Sequence, residues 1–133
     1  MRKPVSPGTT NDDRTRLAPG LRYAWEGIVH VLRTQYNARV HVGAAIVVLL
    51  AAIALRLSAL ELALVIVCIV SVIVTEMINT VVESIVDLVT SSYHPLAKIA
   101  KDVAAGAVLV SAGGSVLVGL LVMVPHLWHL LHG

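Results

Sequence analysis

Three apolar runs, at 42–55, 62–74 and 103–125, fill most of the last two thirds of a chain of 133 residues, and they constrain its fold more than any motif does. The first is unbroken between His41 and Arg56, and the second carries only Cys68 and Ser71 as mildly polar groups. The third is long enough to cross a bilayer unaided, whereas the other two fall short of the roughly 20 residues a span needs. Each of the short runs lengthens if Arg56 snorkels to the interface and if the second helix continues past Glu76. Apolar residues make up 57% of the chain and charged ones 14%, so a soluble core of this size cannot hide them and the surplus must face lipid or other subunits. The expected fold class is an all-α membrane protein with an N-terminal amphipathic surface helix and three transmembrane helices per subunit.

The surface helix is predicted at about 21–36, where Leu21, Trp25, Ile28, Val29, Leu32 and Tyr36 recur on one face opposite Arg22, Glu26, His30, Arg33 and Asn37. Trp25 and Tyr36 are suited to anchor it in the interface. Residues 1–15 contain nothing able to bury enough surface to become ordered and are expected to form a disordered cytoplasmic tail, ahead of a membrane domain at 16–133. Residues 1–20 lack the apolar stretch of a secretory signal. Spans are expected at about 40–58, 60–89 (including a cytoplasmic extension) and 96–125.

Charge sets the orientation. Of ten Lys and Arg residues, seven precede the first span, Lys98 and Lys101 lie in the second loop, and only Arg56 lies in the first. The positive-inside rule then places the N-terminus and the second loop in the cytoplasm of a multi-pass cell-membrane protein, with the C-terminus outside. The net charge of +2 is too small to argue for nucleic acid, and the single cysteine, Cys68, permits no intrachain disulfide. Ala107, Ser111, Ser115 and Gly119 form a small-residue stripe on the third span, which predicts close helix packing. Trp128 and the trailing His126, His129 and His132 read as an interfacial cap on the outer side.

The second span carries the chemistry. Glu76, Asn79, Glu83 and Asp87 follow one another at spacings of three, four and four, within an arc of roughly 80° on one helix face that also holds Thr80. An acid near membrane depth is costly and marks function by default. Carboxylates with an amide oxygen are hard ligands, suited to magnesium rather than zinc. The plainer reading is an acidic helix end paired with lysines of the next loop. Beyond it, Pro95 fits the first turn of the third span, so Lys98 and Lys101 fall near that helix's free amides. Cations there are misplaced unless an anion joins them, and phosphate is the obvious one. A magnesium-type face meeting a phosphate-type face points to phosphoryl transfer, with no Walker-type or protein-kinase motif present. A site opening beside hydrocarbon implies a lipid acceptor.

The run Glu76-Met77-Ile78-Asn79-Thr80-Val81-Val82-Glu83-Ser84-Ile85-Val86-Asp87, with Tyr93-His94-Pro95-Leu96-Ala97-Lys98-Ile99-Ala100-Lys101-Asp102, closely resembles the signature of the prokaryotic diacylglycerol kinase family, which includes undecaprenol kinases. The likeness extends from about residue 16 to the C-terminus and takes in Tyr23-Ala24-Trp25-Glu26-Gly27 and Asn37-Ala38-Arg39-Val40-His41. It implies a homotrimer that uses ATP with Mg2+ to phosphorylate the hydroxyl of a membrane lipid, diacylglycerol or undecaprenol. By motif match, Glu76 would be the general base, Asn79 would position the reacting groups and Glu83 would hold the metal. Lys101 and Asp102 would contact the nucleotide, with Tyr93, His94, Arg16 and Tyr23 beside it. The family's second metal-binding glutamate falls at Gln35, which offers a carbonyl oxygen without charge. Two other readings stand beside this one: a non-enzymatic membrane oligomer with a carboxylate cation site, and a degenerate family member that binds nucleotide as a regulator.

Overall fold

The computed structural model describes residues 12–132, with side chains from 19 onward. The chain is all helix among the described residues, in the order α1 (Asp12–Thr34), α2 (Tyr36–Ala54), α3 (Ala59–Val89) and α4 (Pro95–His132). It divides after Thr34 into two units, α1 in the first and the other three helices in the second.

In the first unit, α1 begins at Asp12, ahead of the start at about residue 21 that the periodicity predicts. Residues 1–11 of the expected tail lie outside the described residues. Pro19 sits inside the helix. Arg22 supports α1 through Glu26 one turn on, at 3.4 Å, and its guanidinium lies 5.1 Å from the centre of the Tyr23 ring. The helix also ends earlier than expected, at Thr34 rather than Tyr36. The Thr34 hydroxyl donates back to the His30 carbonyl at 2.8 Å, and Gln35 is extended at φ −96°. The apolar pattern running on to Tyr36 hides that break.

In the second unit, α2, α3 and α4 are each long and apolar enough to cross a membrane. The protein is a multi-pass membrane protein, and large apolar side chains such as Leu50, Ile53, Val67, Leu109 and Leu121 project outward from all three helices. α2 is shifted toward the N-terminus of the expected 40–58 span, because its end is closed at Leu55. Leu57 N–H donates to the Ala52 carbonyl and Arg56 N–H to the Ile53 carbonyl, both at 3.1 Å, the two bonds of a Schellman end. Arg56 holds the left-handed position of that motif at φ 55°, where glycine is the usual residue. Ser58 then opens α3 with a capping box: its backbone N–H donates to Glu61 Oε2 at 2.8 Å and Glu61 N–H to the Ser58 hydroxyl at 3.4 Å.

α3 is the central element, packing along α4 and, less extensively, on α2. Ala38, Ala52, Val65 and Val72 are the buried apolar residues of this unit. Of the small-residue stripe on α4, Ser111, Ser115 and Gly119 are half-buried while Ala107 is exposed. The Ser115 hydroxyl is shared between Ser111 O at 2.8 Å and Cys68 O of α3 at 3.3 Å, so the stripe brings α4 close to α3 at Ser115. An apolar groove of about 670 Å³ runs between the three helices, lined by Ala45, Val48, Val65, Cys68, Ser115 and Gly119 among others. α4 does not stop at the expected 125. Pro125 lies inside the helix, since a proline removes only its own N–H bond and the flanking turns can persist. Past it, His126 Nδ1 donates to the Val122 carbonyl at 3.0 Å, and its Nε2 lies 3.5 Å from Glu61 Oε2. Trp128 stacks on His132 with ring centres 4.1 Å apart.

A non-glycine residue in the left-handed region costs on the order of 1 kcal/mol. Arg56→Gly is therefore expected to raise the thermal midpoint in detergent, by about 0.5–1 kcal/mol in stability. Arg56→Val should lower it, because a β-branched side chain fits that conformation worst.

Candidate active site at the end of α3

The last turns of α3 combine burial with polarity in a way the rest of the bundle does not. Glu76, Asn79 and Thr80 are all buried, with Glu76 only 2% exposed. Hydroxyl groups here are satisfied within their own helix: Thr75 donates to Ser71 O at 2.7 Å, Thr80 to Glu76 O at 3.0 Å and Ser84 to Thr80 O at 2.8 Å. The amide of Asn79 behaves differently. Its Nδ2 donates to Glu83 Oε1 at 3.2 Å, one turn along the arc. Its Oδ1 is buried and has no hydrogen-bond partner. Orphaned buried acceptors are rare and call for a ligand, a water or an ion.

That oxygen and the half-buried Glu83 carboxylate form a small set of hard donors, compatible in chemistry with magnesium. Among the described residues no three His, Cys, Asp or Glu side chains converge as a metal cluster. An ion held by these two groups would take waters and substrate phosphates as its other ligands, as magnesium commonly does. Gln35 is half-buried at the N-terminus of α2, and its side chain makes no capping bond there.

The loop beyond α3 is short. Thr90 closes the helix through its N–H to Val86 O and folds the next residues back by bonding Ser92 O at 2.9 Å. Tyr93 is 80% exposed. His94 has a local task that sequence reading missed. Its Nδ1 accepts from Leu96 N–H at 3.2 Å and its carbonyl from Lys98 N–H at 3.1 Å, so it is the N-cap of α4 ahead of Pro95.

The anions beside the two lysines are carboxylates of the chain itself. Lys98 pairs with Asp102 one turn along α4. Lys101 reaches across to α3, with Nζ 2.6 Å from Asp87 Oδ1. The plainer sequence reading, in which acids at the helix end meet lysines of the next segment, therefore holds for Asp87. Asp87 stood on the arc in the sequence, but its partner did not, because a bond between residues 14 apart depends on how two helices cross. The structure thus brings together Asn79 with Glu83, Lys101 with Asp87, and Asp102 with Lys98. Tyr23 stands exposed on α1 in the first unit, and the side chain of Arg16 lies outside the described residues.

Comparison with known proteins bears on the family of the chain. The family model described as prokaryotic diacylglycerol kinase matches residues 22–123, which include α3 and the start of α4. The chain is 41% identical over 134 residues to a diacylglycerol kinase of Synechocystis sp., covering 97% of this chain and 77% of that one. It is 42% identical over 105 residues to an undecaprenol kinase of Bacillus subtilis, covering 79% of this chain and 85% of that one. A family model matched over most of the chain and relatives at this identity place the protein: it belongs to the prokaryotic diacylglycerol kinase family.

Proposed function

We propose that the protein is an integral-membrane lipid kinase that transfers the γ-phosphate of ATP to the hydroxyl of a membrane lipid, diacylglycerol or undecaprenol. The observation that carries this reading is the buried polar face of α3, where Glu76 is almost fully enclosed and Asn79 Oδ1 is left without a partner. Relatives named as kinases support the reaction class, and their two names mark the two lipid classes to test.

Roles follow from the chemistry of each group. A lipid alcohol is a poor acid, so Glu76 accepts its proton as the phosphoryl group arrives, acting as general base. Asn79 positions the reacting groups through an amide held by Glu83. Glu83, with the carbonyl oxygen of Gln35, would hold Mg2+, which when bound neutralises phosphate charge. Lys101 and Asp102 contact the nucleotide, with Arg16, Tyr23, Tyr93 and His94 beside it, and His94 doing so while capping α4. The Lys and Arg residues before α2, with Lys98 and Lys101 in the first turns of α4, support a cytoplasmic N-terminus and a cytoplasmic site in the cell membrane. The exposed apolar faces of α2 and α4 leave room for self-association, and a homotrimer is the assembly we infer.

Purified protein with radiolabelled ATP, magnesium and a panel of diacylglycerol, undecaprenol and other lipid alcohols should yield labelled lipid; no label on any acceptor would overturn the kinase reading. Glu76→Gln should lower the rate by about 100-fold or more with the oligomer intact, and retained activity would remove Glu76 from the base role. Gln35→Glu should lower the magnesium concentration needed for half-maximal rate, since a carboxylate adds charge to the site.

A further inference from the structure

We infer that Asp87 is a positioning residue for the phosphoryl-transfer site, holding the Lys101 ammonium against the acidic face of α3. The inference rests on the kinase reading above and extends it to a residue outside the motif roles. Lys101 has no acid within reach on its own helix: the residues three and four away are Lys98, Ala104, Ala97 and Ala105. The neighbouring Asp102 is engaged by Lys98. A lysine tip on a four-carbon stem otherwise samples many positions, and its ordering has to come from elsewhere. Asp87 supplies it from α3, at 2.6 Å.

The position of Asp87 gives the contact its meaning. Asn79, Glu83 and Asp87 succeed one another at intervals of four, so they line one stripe of α3. Anchored at Asp87, the ammonium stands one helical turn beyond the Asn79–Glu83 pair, joining the cation of α4 to the oxygen donors of α3. Both partners are substantially open to water, with Asp87 67% and Lys101 38% exposed. An ion pair so exposed contributes little to folding stability. Its consequence is therefore geometric, and loss of Asp87 should appear in kinetics and not in stability.

The test is steady-state kinetics of Asp87→Ala, Asp87→Glu, Lys101→Gln and the Asp87→Ala/Lys101→Gln double variant in lipid vesicles with radiolabelled ATP. Asp87→Ala should lower kcat/KM for MgATP about tenfold, chiefly through KM. The KM for lipid and the thermal midpoint should stay at their wild-type values, and Asp87→Glu should restore most of the loss. On the Lys101→Gln background Asp87→Ala should change nothing further, because its partner is already gone. Unchanged kinetics of Asp87→Ala, an equal loss on the Lys101→Gln background, or a fall in midpoint matching the loss of activity would each overturn the proposal. Wild-type protein that labels no lipid removes the kinase reading, and this inference with it; active wild type with an indifferent Asp87 removes this inference alone.

Discussion

The structure depends on one constraint, that polar groups at membrane depth must find partners within the protein because hydrocarbon offers none. The backbone meets it by being helical through α2, α3 and α4. The hydroxyl side chains meet it by donating to carbonyls of the preceding turn, as Thr75, Thr80, Ser84 and Ser115 all do. Against that background the Asn79 amide oxygen is an exception among the described residues, a buried acceptor with no partner. Leaving such an atom unsatisfied costs on the order of 1–3 kcal/mol. A buried acceptor left open on the face that carries Glu76 and Glu83 stands where chemistry is expected.

The two ends of α3 serve different ends. At its start the Ser58–Glu61 capping box fixes the helix, and the same Glu61 carboxylate faces His126 of α4. Since His126 Nδ1 donates to the Val122 carbonyl, Nε2 can donate toward Glu61 only when the ring is protonated. At its finish α3 has no comparable lock. The chain turns through Thr90 and Ser92 into a helix capped by His94, and the lysines there meet carboxylates in exposed pairs. One end holds the helices in register, and the other presents charges that water and ligands can reach.

Much of this was legible in the sequence, and the failures have specific causes. The three spans follow from apolar run length, and the Glu76–Asn79–Glu83 face follows from helical period, because both are properties of a single element. The junction at Gln35 was missed because a single extended residue breaks the helix while the apolar pattern runs on to Tyr36. The ends of α2 and α4 were misplaced for related reasons. A Schellman end with arginine at the left-handed position lacks its usual glycine signal, and α4 continues through Pro125 beyond the apolar run that ends there. That acids at the end of α3 would meet the following lysines was readable, but that Asp87 in particular meets Lys101 was not, since it depends on how α3 crosses α4 and no local spacing encodes that.

The weakness of the two lysine pairs suits them to a site that must receive a polyphosphate. A buried ion pair would resist opening, because each charge parted from its partner without water is destabilised by several kcal/mol. Lys98–Asp102 and Lys101–Asp87 are exposed on both sides, so either lysine can exchange a carboxylate oxygen for a phosphate oxygen at small cost. Until then the carboxylates serve as counter-charges for both ammonium groups. The acids at this edge are therefore compatible with an anionic ligand: they act as counter-charges in its absence and, through Asp87, as a guide for where Lys101 stands when it arrives.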